Sequence, residues 1–136
     1  MSVHTAINTA AAPAAVGPYS QARMAGSWLY VSGQLPIDPA TGTMVSGSIA
    51  DRAEQIFHNI EAIVAAAGGR VEDIVKITLF LTDLSDFGQV NEAYARFFQE
   101  PYPARSTIGV AALPLGSNIE AEAVAWVAPT TDQEAP

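Results

Sequence analysis

The sequence predicts an α+β domain in which two amphipathic helices cover one face of a β-sheet. Five segments alternate aliphatic or small residues with polar or aromatic ones, the period-2 pattern of strands that have two different faces. Two further segments repeat apolar residues at helical spacing. Two such helices are enough to cover only one face of the sheet, which leaves the other face for a different partner.

The bulk composition fits one domain with a real core. The chain has 136 residues, of which 49% are hydrophobic and 15% are charged, and it has no cysteine. We expect a single domain over residues 1–128 and a disordered polar tail over 129–136. The lack of cysteine excludes disulfides and thiol catalysis. Because no apolar segment is long enough to span a bilayer and no signal peptide is visible, we expect a cytoplasmic protein.

The first third of the chain predicts a loop followed by two strands. Residues 9–18 are small and interrupted by two prolines, so they predict a lead-in loop. Strands are predicted over 19–25 and 28–35, with a tight turn between them. Residues 36–42 have the composition of a loop.

The middle of the chain predicts helix, strand, helix. Ser48 and Asp51 resemble a capping box at the start of the first helix, which ends at two glycines, Gly68 and Gly69. A strand is predicted over 73–82. The second helix begins near Asp83 or Ser85 and ends before two prolines.

The last stretch, residues 103–126, predicts two strands joined by a Pro/Gly turn. Arg105 lies on the first strand, and Glu120 and Glu122 lie on the second. Charges in an apolar stretch are costly to bury unless they are paired or used. Arg105 therefore either pairs with one of these carboxylates across neighbouring strands or holds a ligand carboxylate with its planar fork.

Alternation divides the side chains between two faces of the predicted sheet. The aliphatic face suits the helices, whereas the other face has large rings together with polar and charged groups. This mixed face is predicted to comprise Trp28, Tyr30, Phe80, Trp126, Ser32, Arg105, Thr107 and Glu120. Because rings of this size would leave a large apolar patch in water, we expect another subunit to cover the mixed face, with a site in or near the interface.

Several kinds of site are disfavoured by the residues present. His4 and His58 are the only histidines, and no cluster has the spacing of metal ligands, so we expect no metal. Serine lacks a nearby histidine partner, which weakens a hydrolase triad. The formal charge of −8, from 6 basic and 14 acidic residues, disfavours nucleic-acid binding. Composition alone makes Asn91 a surface or packing residue.

Short motifs along nearly the whole chain, from about residue 4 to 128, resemble those of the RidA/YjgF family of enamine/imine deaminases. The matching segments include Gly17-Pro18-Tyr19-Ser20-Gln21, Tyr30-Val31-Ser32-Gly33-Gln34, Val90-Asn91-Glu92, Pro103-Ala104-Arg105-Ser106 and Ile119-Glu120-Ala121-Glu122-Ala123. The resemblance implies a chorismate-mutase-like mixed sheet and a homotrimer whose sheets form a central barrel with inter-subunit sites. It also implies hydrolysis of 2-imino or enamino acids, such as 2-aminoacrylate, to 2-oxo acids and ammonia without a cofactor.

The resemblance also assigns roles by position. Arg105 is similar to the residue that clamps the substrate carboxylate, and Glu120 to the residue that activates the attacking water. Tyr19, Ser32 and Asn91 match positions that shape the pocket. Thr107 stands where the best-known members have cysteine, so its backbone would contact substrate. Glu122 is assigned only to structural pairing near the barrel.

Two other functions remain open from the sequence. One is a non-catalytic trimer that binds small carboxylates or acts as a chaperone-like surface. The other is an endoribonuclease, an activity attached to the family, which the net charge disfavours. The physiological substrate stays undetermined, as does the effect of the short link over residues 99–103 on specificity.

Overall fold

The computed structural model describes residues 4–128 as a six-stranded sheet with two helices packed against one face. The predicted disordered tail over 129–136 lies outside the described residues. Over residues 4–128, no helix is long and apolar enough to cross a membrane. The strands and helices, in chain order, are β1 His4–Ile7, β2 Ala22–Ala25, β3 Trp28–Gln34, β4 Ile37–Asp38, β5 Thr43–Met44, α1 Ile49–Ala66, β6 Ile74–Leu81, α2 Phe87–Phe97, β7 Ala104–Gly109 and β8 Ile119–Trp126.

The sheet is mixed, as predicted, and its strand order is β1-β2-β3-β8-β6-β7. Only β6 and β7 pair in parallel, and all other neighbours in the sheet are antiparallel. Two features differ from the sequence prediction. The edge strand β1 was not predicted, because four residues give too short a pattern, and the loop predicted over 36–42 contains part of a small hairpin, β4 with β5.

Helix α1 begins where the sequence predicted. The Ser48 side chain accepts a hydrogen bond from the Asp51 backbone N–H at 3.1 Å, and the Ser48 backbone N–H donates to the Asp51 carboxylate at 3.2 Å. This capping box satisfies two N–H groups that the first helical turn leaves without partners. Gly68, with φ of +91°, lies just after the C-cap residue Ala67, where a left-handed backbone favours glycine.

An aromatic cluster fixes α2 against α1. The Phe57 ring on α1 lies 5.6 Å from the ring of Tyr94, 5.5 Å from that of Phe97 and 5.3 Å from that of Phe98, centroid to centroid. Phe57 is fully buried, and beneath it the aliphatic face of the sheet is buried as well. Because α2 is anchored at this end, the part of the helix that faces β7 has a defined position.

The two strands of the last stretch are not neighbours, which corrects the predicted arrangement. Strand β6 lies between β7 and β8. The parallel register pairs Arg105 with the buried Ile77, so Arg105 lies on the helix side of the sheet. The antiparallel register pairs Glu120 with Phe80 on the opposite, open face. The prediction that Arg105 and Glu120 share a face is therefore wrong.

Thr107 was also assigned to the wrong face, because it pairs with the buried Leu79. The physical reason is that β7 is the edge strand. Helix α2 covers its inner side incompletely, so half-buried Arg105 and Thr107 are tolerated there. The aliphatic Ile108 instead lies on the open face, with 43% of its surface exposed. Alternation defines which residues share a face but not which face the helices cover.

Candidate active site

The residues predicted for the site gather in two separate cavities of the single chain. The first, termed the Arg105 cavity, has a volume of about 420 Å³ and is lined by Asn91, Tyr94, Ala95, Tyr102, Pro103 and Arg105. The second, termed the Glu120 cavity, has a volume of about 570 Å³. It lies among loops at one end of β3 and β8, and its polar lining includes Tyr19, Gln21, Ser32 and Glu120.

Arg105 is oriented by aromatic rings and not by a carboxylate. Its guanidinium carbon lies 4.7 Å from the centroid of the Tyr94 ring and 5.4 Å from that of Phe87. Among the described residues the guanidinium forms no hydrogen bond and no ion pair. One of the two possibilities left open by the sequence was that Arg105 forms a structural ion pair with Glu120 or Glu122. That possibility is wrong for the single chain. All five guanidinium N–H donors are available to a ligand.

Tyr94 forms one wall of the Arg105 cavity and is 5% exposed. Its hydroxyl group is buried and has no hydrogen-bond partner among residues 4–128. Burial raises the pKa of Tyr94, and the positive charge of Arg105 opposes this shift with a smaller effect. The phenol is therefore neutral at physiological pH, and its ring presents an intact π-face to the guanidinium.

Glu120 is the carboxylate residue that lines the Glu120 cavity, and its carboxyl group lies directly over Gly33. A β-carbon on Gly33 would collide with Glu120 Oε2 and would lie 2.9 Å from its Cδ. Burial raises the pKa of Glu120, and the neighbouring Glu122 raises it further. This carboxyl group therefore exchanges its proton closer to neutral pH than an ordinary glutamate does, as a group that transfers protons in catalysis requires.

Gly33→Ala is expected to displace the Glu120 carboxylate. If this carboxylate transfers protons in a reaction, the rate of that reaction should fall by about tenfold or more, because the group is no longer correctly placed. The backbone of Gly33 has no positive φ, so alanine is acceptable locally. The matched control is Gly88→Ala on α2, where a β-carbon meets nothing within 4 Å. Equal rates for both variants and the unmodified chain, measured in the assay below, would contradict this role of Gly33.

The walls of the Glu120 cavity are held by buried polar side chains. Gln21, which is 3% exposed, accepts a hydrogen bond from the Thr9 N–H at 2.7 Å and donates to the carbonyls of Thr9 and Pro13 at 3.0 and 2.8 Å. These bonds fix the lead-in loop, which contributes Pro13 to the cavity. The Ser32 hydroxyl donates to the Ser20 carbonyl at 2.6 Å, so its lone pairs remain free to accept from a ligand.

The structure brings together some of the predicted residues but not all of them. Tyr19 and Ser32 line the Glu120 cavity, and Asn91 lines the Arg105 cavity. Thr107 lies two residues beyond Arg105 on the same face of β7 but lines neither cavity. Glu122 is exposed and forms no ion pair with any residue of 4–128, so its predicted pairing is absent from the single chain.

The family resemblance assigned Asn91 to the pocket, but nothing in the sequence placed Phe87 or Tyr94 beside Arg105. Phe87, Asn91 and Tyr94 recur at the i, i+4, i+7 spacing of one helix face, and this spacing alone predicts an apolar stripe that contains Phe87 and Tyr94. A polar residue, Asn91, lies between the two aromatic residues on this helix face, and this break in the apolar pattern could have predicted a cavity there. The short link over 99–103 places Tyr102 in the lining as well.

Comparison with known proteins gives consistent matches over almost the whole chain. The family model described as Endoribonuclease L-PSP matches residues 9–127. The RutC family protein y4sK of Sinorhizobium fredii is 53% identical over 118 residues, which cover 87% of this chain and 94% of y4sK. The 2-iminobutanoate/2-iminopropanoate deaminase of Bos taurus is 47% identical over 129 residues, which cover 95% of this chain and 94% of the bovine protein. The chain belongs to the RidA/YjgF family.

A solved structure of the RidA/YjgF family agrees with the fold. The crystal structure of E. coli TdcF with bound serine superposes with a TM-score of 0.86 at 44% identity and covers 91% of this chain and 99% of TdcF. The α+β architecture with two helices on a mixed sheet is therefore that of the RidA/YjgF family. The motif resemblance found in the sequence is confirmed, and the two cavities contain the positions that it singled out, except Thr107 and Glu122.

Proposed function

We propose that the chain is a cofactor-independent deaminase that hydrolyses 2-imino and enamino acids to 2-oxo acids and ammonia. The observation that carries this proposal is the guanidinium of Arg105, which is oriented by two rings and has no protein acceptor. A cation so placed suits a ligand carboxylate. The 47% identity to a bovine protein named for this activity supports the same reaction class.

The proposed reaction needs a water, a carboxylate clamp and one group that transfers protons. Arg105 holds the substrate carboxylate, which places C2 of the imine near Glu120. Ionised Glu120 accepts a proton from water as the water oxygen bonds to C2, and the C=N double bond becomes a single bond. Protonated Glu120 donates this proton to nitrogen, which leaves a neutral carbinolamine with one OH and one NH2 group on C2. The hydroxyl proton then passes through Glu120 to the NH2 group, the C–N bond breaks, and ammonia leaves as the C2=O bond forms.

The other predicted residues have supporting roles in this proposal. Asn91, beside Arg105, hydrogen-bonds the substrate from the clamp side. Tyr19 and Ser32 shape the Glu120 side, where the Ser32 hydroxyl accepts a hydrogen bond from the substrate nitrogen or the water. Thr107 contributes through its backbone. Imines hydrolyse readily in water, so positioning and proton transfer are the contributions asked of the protein.

The site is proposed to form between subunits of a homotrimer. In one chain the Arg105 and Glu120 side chains project from opposite faces of the sheet, and β6 separates their strands by about 10 Å. One substrate cannot contact both within that chain. The open face also exposes large apolar side chains: Trp28, Tyr30, Ile108 and Trp126. Joining three open faces would cover these side chains and bring one subunit's Arg105 cavity to the Glu120 cavity of the next.

Mixing two inactive variants is expected to restore activity. If each site takes Arg105 from one subunit and Glu120 from its neighbour, equal amounts of Arg105→Ala and Glu120→Gln chains, refolded together, regenerate about one quarter of the sites, half times half, by random assembly. The measurement is hydrolysis by the mixture against each variant refolded alone. A mixture no more active than its parts would contradict the inter-subunit site.

The direct test of the proposed function uses an imino acid generated in place by an amino-acid oxidase, with a nucleophilic trap competing for the imine. The protein is expected to raise the yield of 2-oxo acid and ammonia relative to trapped imine. If it binds 2-oxobutanoate but leaves the yield unchanged, the deaminase proposal is wrong and the carboxylate-binding alternative stands. The endoribonuclease named by the family model is disfavoured by the net charge of −8.

A further inference from the structure

Within residues 4–128, two rings of α2 lie against the Arg105 guanidinium and orient it. Phe87 and Tyr94 are seven residues apart, so they lie on one face of the helix, two turns from each other. The guanidinium carbon is within 6 Å of both ring centroids, at 5.4 and 4.7 Å, which is the range of a cation–π interaction. Among residues 4–128, no acid and no carbonyl oxygen replaces these rings as a partner.

We propose that Phe87 and Tyr94 are positioning residues that hold Arg105 ready to bind a carboxylate. This inference rests on the proposed function only in that Arg105 is taken as the clamp for the ligand carboxylate. It adds that the affinity for this carboxylate depends on two aromatic side chains that do not themselves bind it.

The physical argument compares two ways of fixing an arginine. A carboxylate partner would orient the guanidinium but would occupy its N–H donors and neutralise its charge. A ring face attracts the cation through its quadrupole and takes none of the in-plane donors. The arrangement seen here therefore restricts a long, flexible side chain before the ligand arrives, which lowers the entropy lost on binding.

The two rings contribute unequally. Tyr94 is closer, is 5% exposed, and is held by the Phe98 ring at 4.5 Å and the Phe57 ring at 5.6 Å. Phe87 is farther away and 40% exposed, so water competes more strongly there. The Tyr94 hydroxyl has no partner in the described part of the chain, so the ring and not the oxygen is assigned the role.

The test measures 2-oxobutanoate binding by calorimetry and imine hydrolysis for four variants. Tyr94→Leu is expected to raise the Kd and the KM about tenfold, and Phe87→Leu about threefold, with kcat within about twofold. Tyr94→Phe keeps the ring and is expected to stay within about twofold of the unmodified protein. Phe97→Leu is the matched control, because Phe97 packs on Phe57 and His58 but not on Arg105. It is expected to lower the Tm and leave the Kd unchanged.

The outcomes separate this inference from the proposed function. If the unmodified protein binds 2-oxobutanoate but does not hydrolyse imines, the deaminase proposal fails, and the order of Kd values still decides the role of the rings. If it hydrolyses imines and Phe87→Leu and Tyr94→Leu bind as Phe97→Leu does, the inference is wrong and the function stands. If it neither binds 2-oxobutanoate nor hydrolyses imines, both are overturned. If it hydrolyses imines without measurable binding of 2-oxobutanoate, the order of KM values decides the role of the rings. Because Phe87 is half exposed, its variant folds even if Tyr94→Leu does not.

Discussion

Arg105→Ala is expected to lower kcat/KM for 2-imino acids by about 100- to 1,000-fold. Two charge-assisted hydrogen bonds to a carboxylate contribute roughly 3 to 4 kcal/mol together, and each 1.4 kcal/mol corresponds to a factor of ten. Most of the loss should appear in KM, because the clamp binds the carboxylate in both the substrate and the transition state. A smaller fall in kcat reflects the poorer alignment of C2 with Glu120.

Two variants make this expectation specific. Arg105→Lys keeps the charge but not the planar fork, so it should recover only part of the affinity. Arg96→Ala is the control. It removes an exposed cation from the last turn of α2, the helix beside the Arg105 cavity, and should leave kcat and KM unchanged. Because Arg105 has no ion pair to lose, the Tm of Arg105→Ala should stay close to that of the unmodified protein. Imine hydrolysis as fast in Arg105→Ala as in the unmodified chain would show that the clamp is misassigned.

Glu120→Gln is expected to lower kcat about 100- to 10,000-fold, the usual contribution of a general acid–base group, and to make the protein more stable near neutral pH. Burial and the charge of Glu122 both disfavour ionised Glu120, and a neutral amide of the same shape removes that cost. The gain is less than about 1 kcal/mol, because solvent screens a half-exposed group. A substitution that lowers activity but raises stability indicates a residue whose role is catalytic and not structural.

The pH dependence of this stability difference has a defined sign. The pKa of Glu120 is higher in the folded chain than in the unfolded one, so the folded state binds the proton more tightly. Folded-state stability is therefore lost as the pH rises from about 4 through the raised pKa, and the loss is complete above it. The Glu120→Gln variant does not lose this stability. The difference in the free energy of unfolding between the variant and the unmodified chain should therefore be absent below about pH 4, grow as the pH rises, and reach a plateau above the raised pKa. Denaturant unfolding at several pH values and a fixed protein concentration measures it.

The neighbouring carboxylate supplies the control for this prediction. Glu122→Gln keeps Glu120 titratable but removes the second cause of its raised pKa. The acidic limb of the kcat profile should therefore move to lower pH while the maximal rate is retained. A Glu120→Gln variant that is less stable than the unmodified chain across the whole pH range would contradict the assignment of burial as the dominant cause.

The sequence predicted most elements because their signals are local. The Ser48 capping box spans four residues, the stripe of α1 repeats at short spacings within one helix, and the structure confirms both. The motif resemblance predicted the family in the same way, from short segments in a fixed order. The strand predicted over 19–25 begins only at Ala22, because the residues before it turn to build the wall of the Glu120 cavity.

The sequence could not show which face of the sheet carries Arg105 and which carries Glu120, because this depends on the long-range pairing of the strands. Arg105 and Glu120 appeared to share a face, because alternation within each strand put Ile108 on the aliphatic face and therefore Arg105 on the mixed face. The parallel pairing of β7 with β6 inserts a strand between them and reverses the face of Arg105. The role of Gly33 likewise required coordinates, because only they place Glu120 above it.

The open face of the sheet contains both tryptophans of the chain, which makes its environment accessible to fluorescence. The chain has two tryptophans, Trp28 and Trp126, and they are direct partners in the β3–β8 pairing, 44% and 43% exposed. The aromatic cluster between the helices contains only phenylalanine and tyrosine. In the folded chain, indole emission therefore reports the polarity around this face alone, while circular dichroism follows the folding of the chain. The protein thus contains an intrinsic optical probe in which docking of subunits and folding of each subunit produce separate signals.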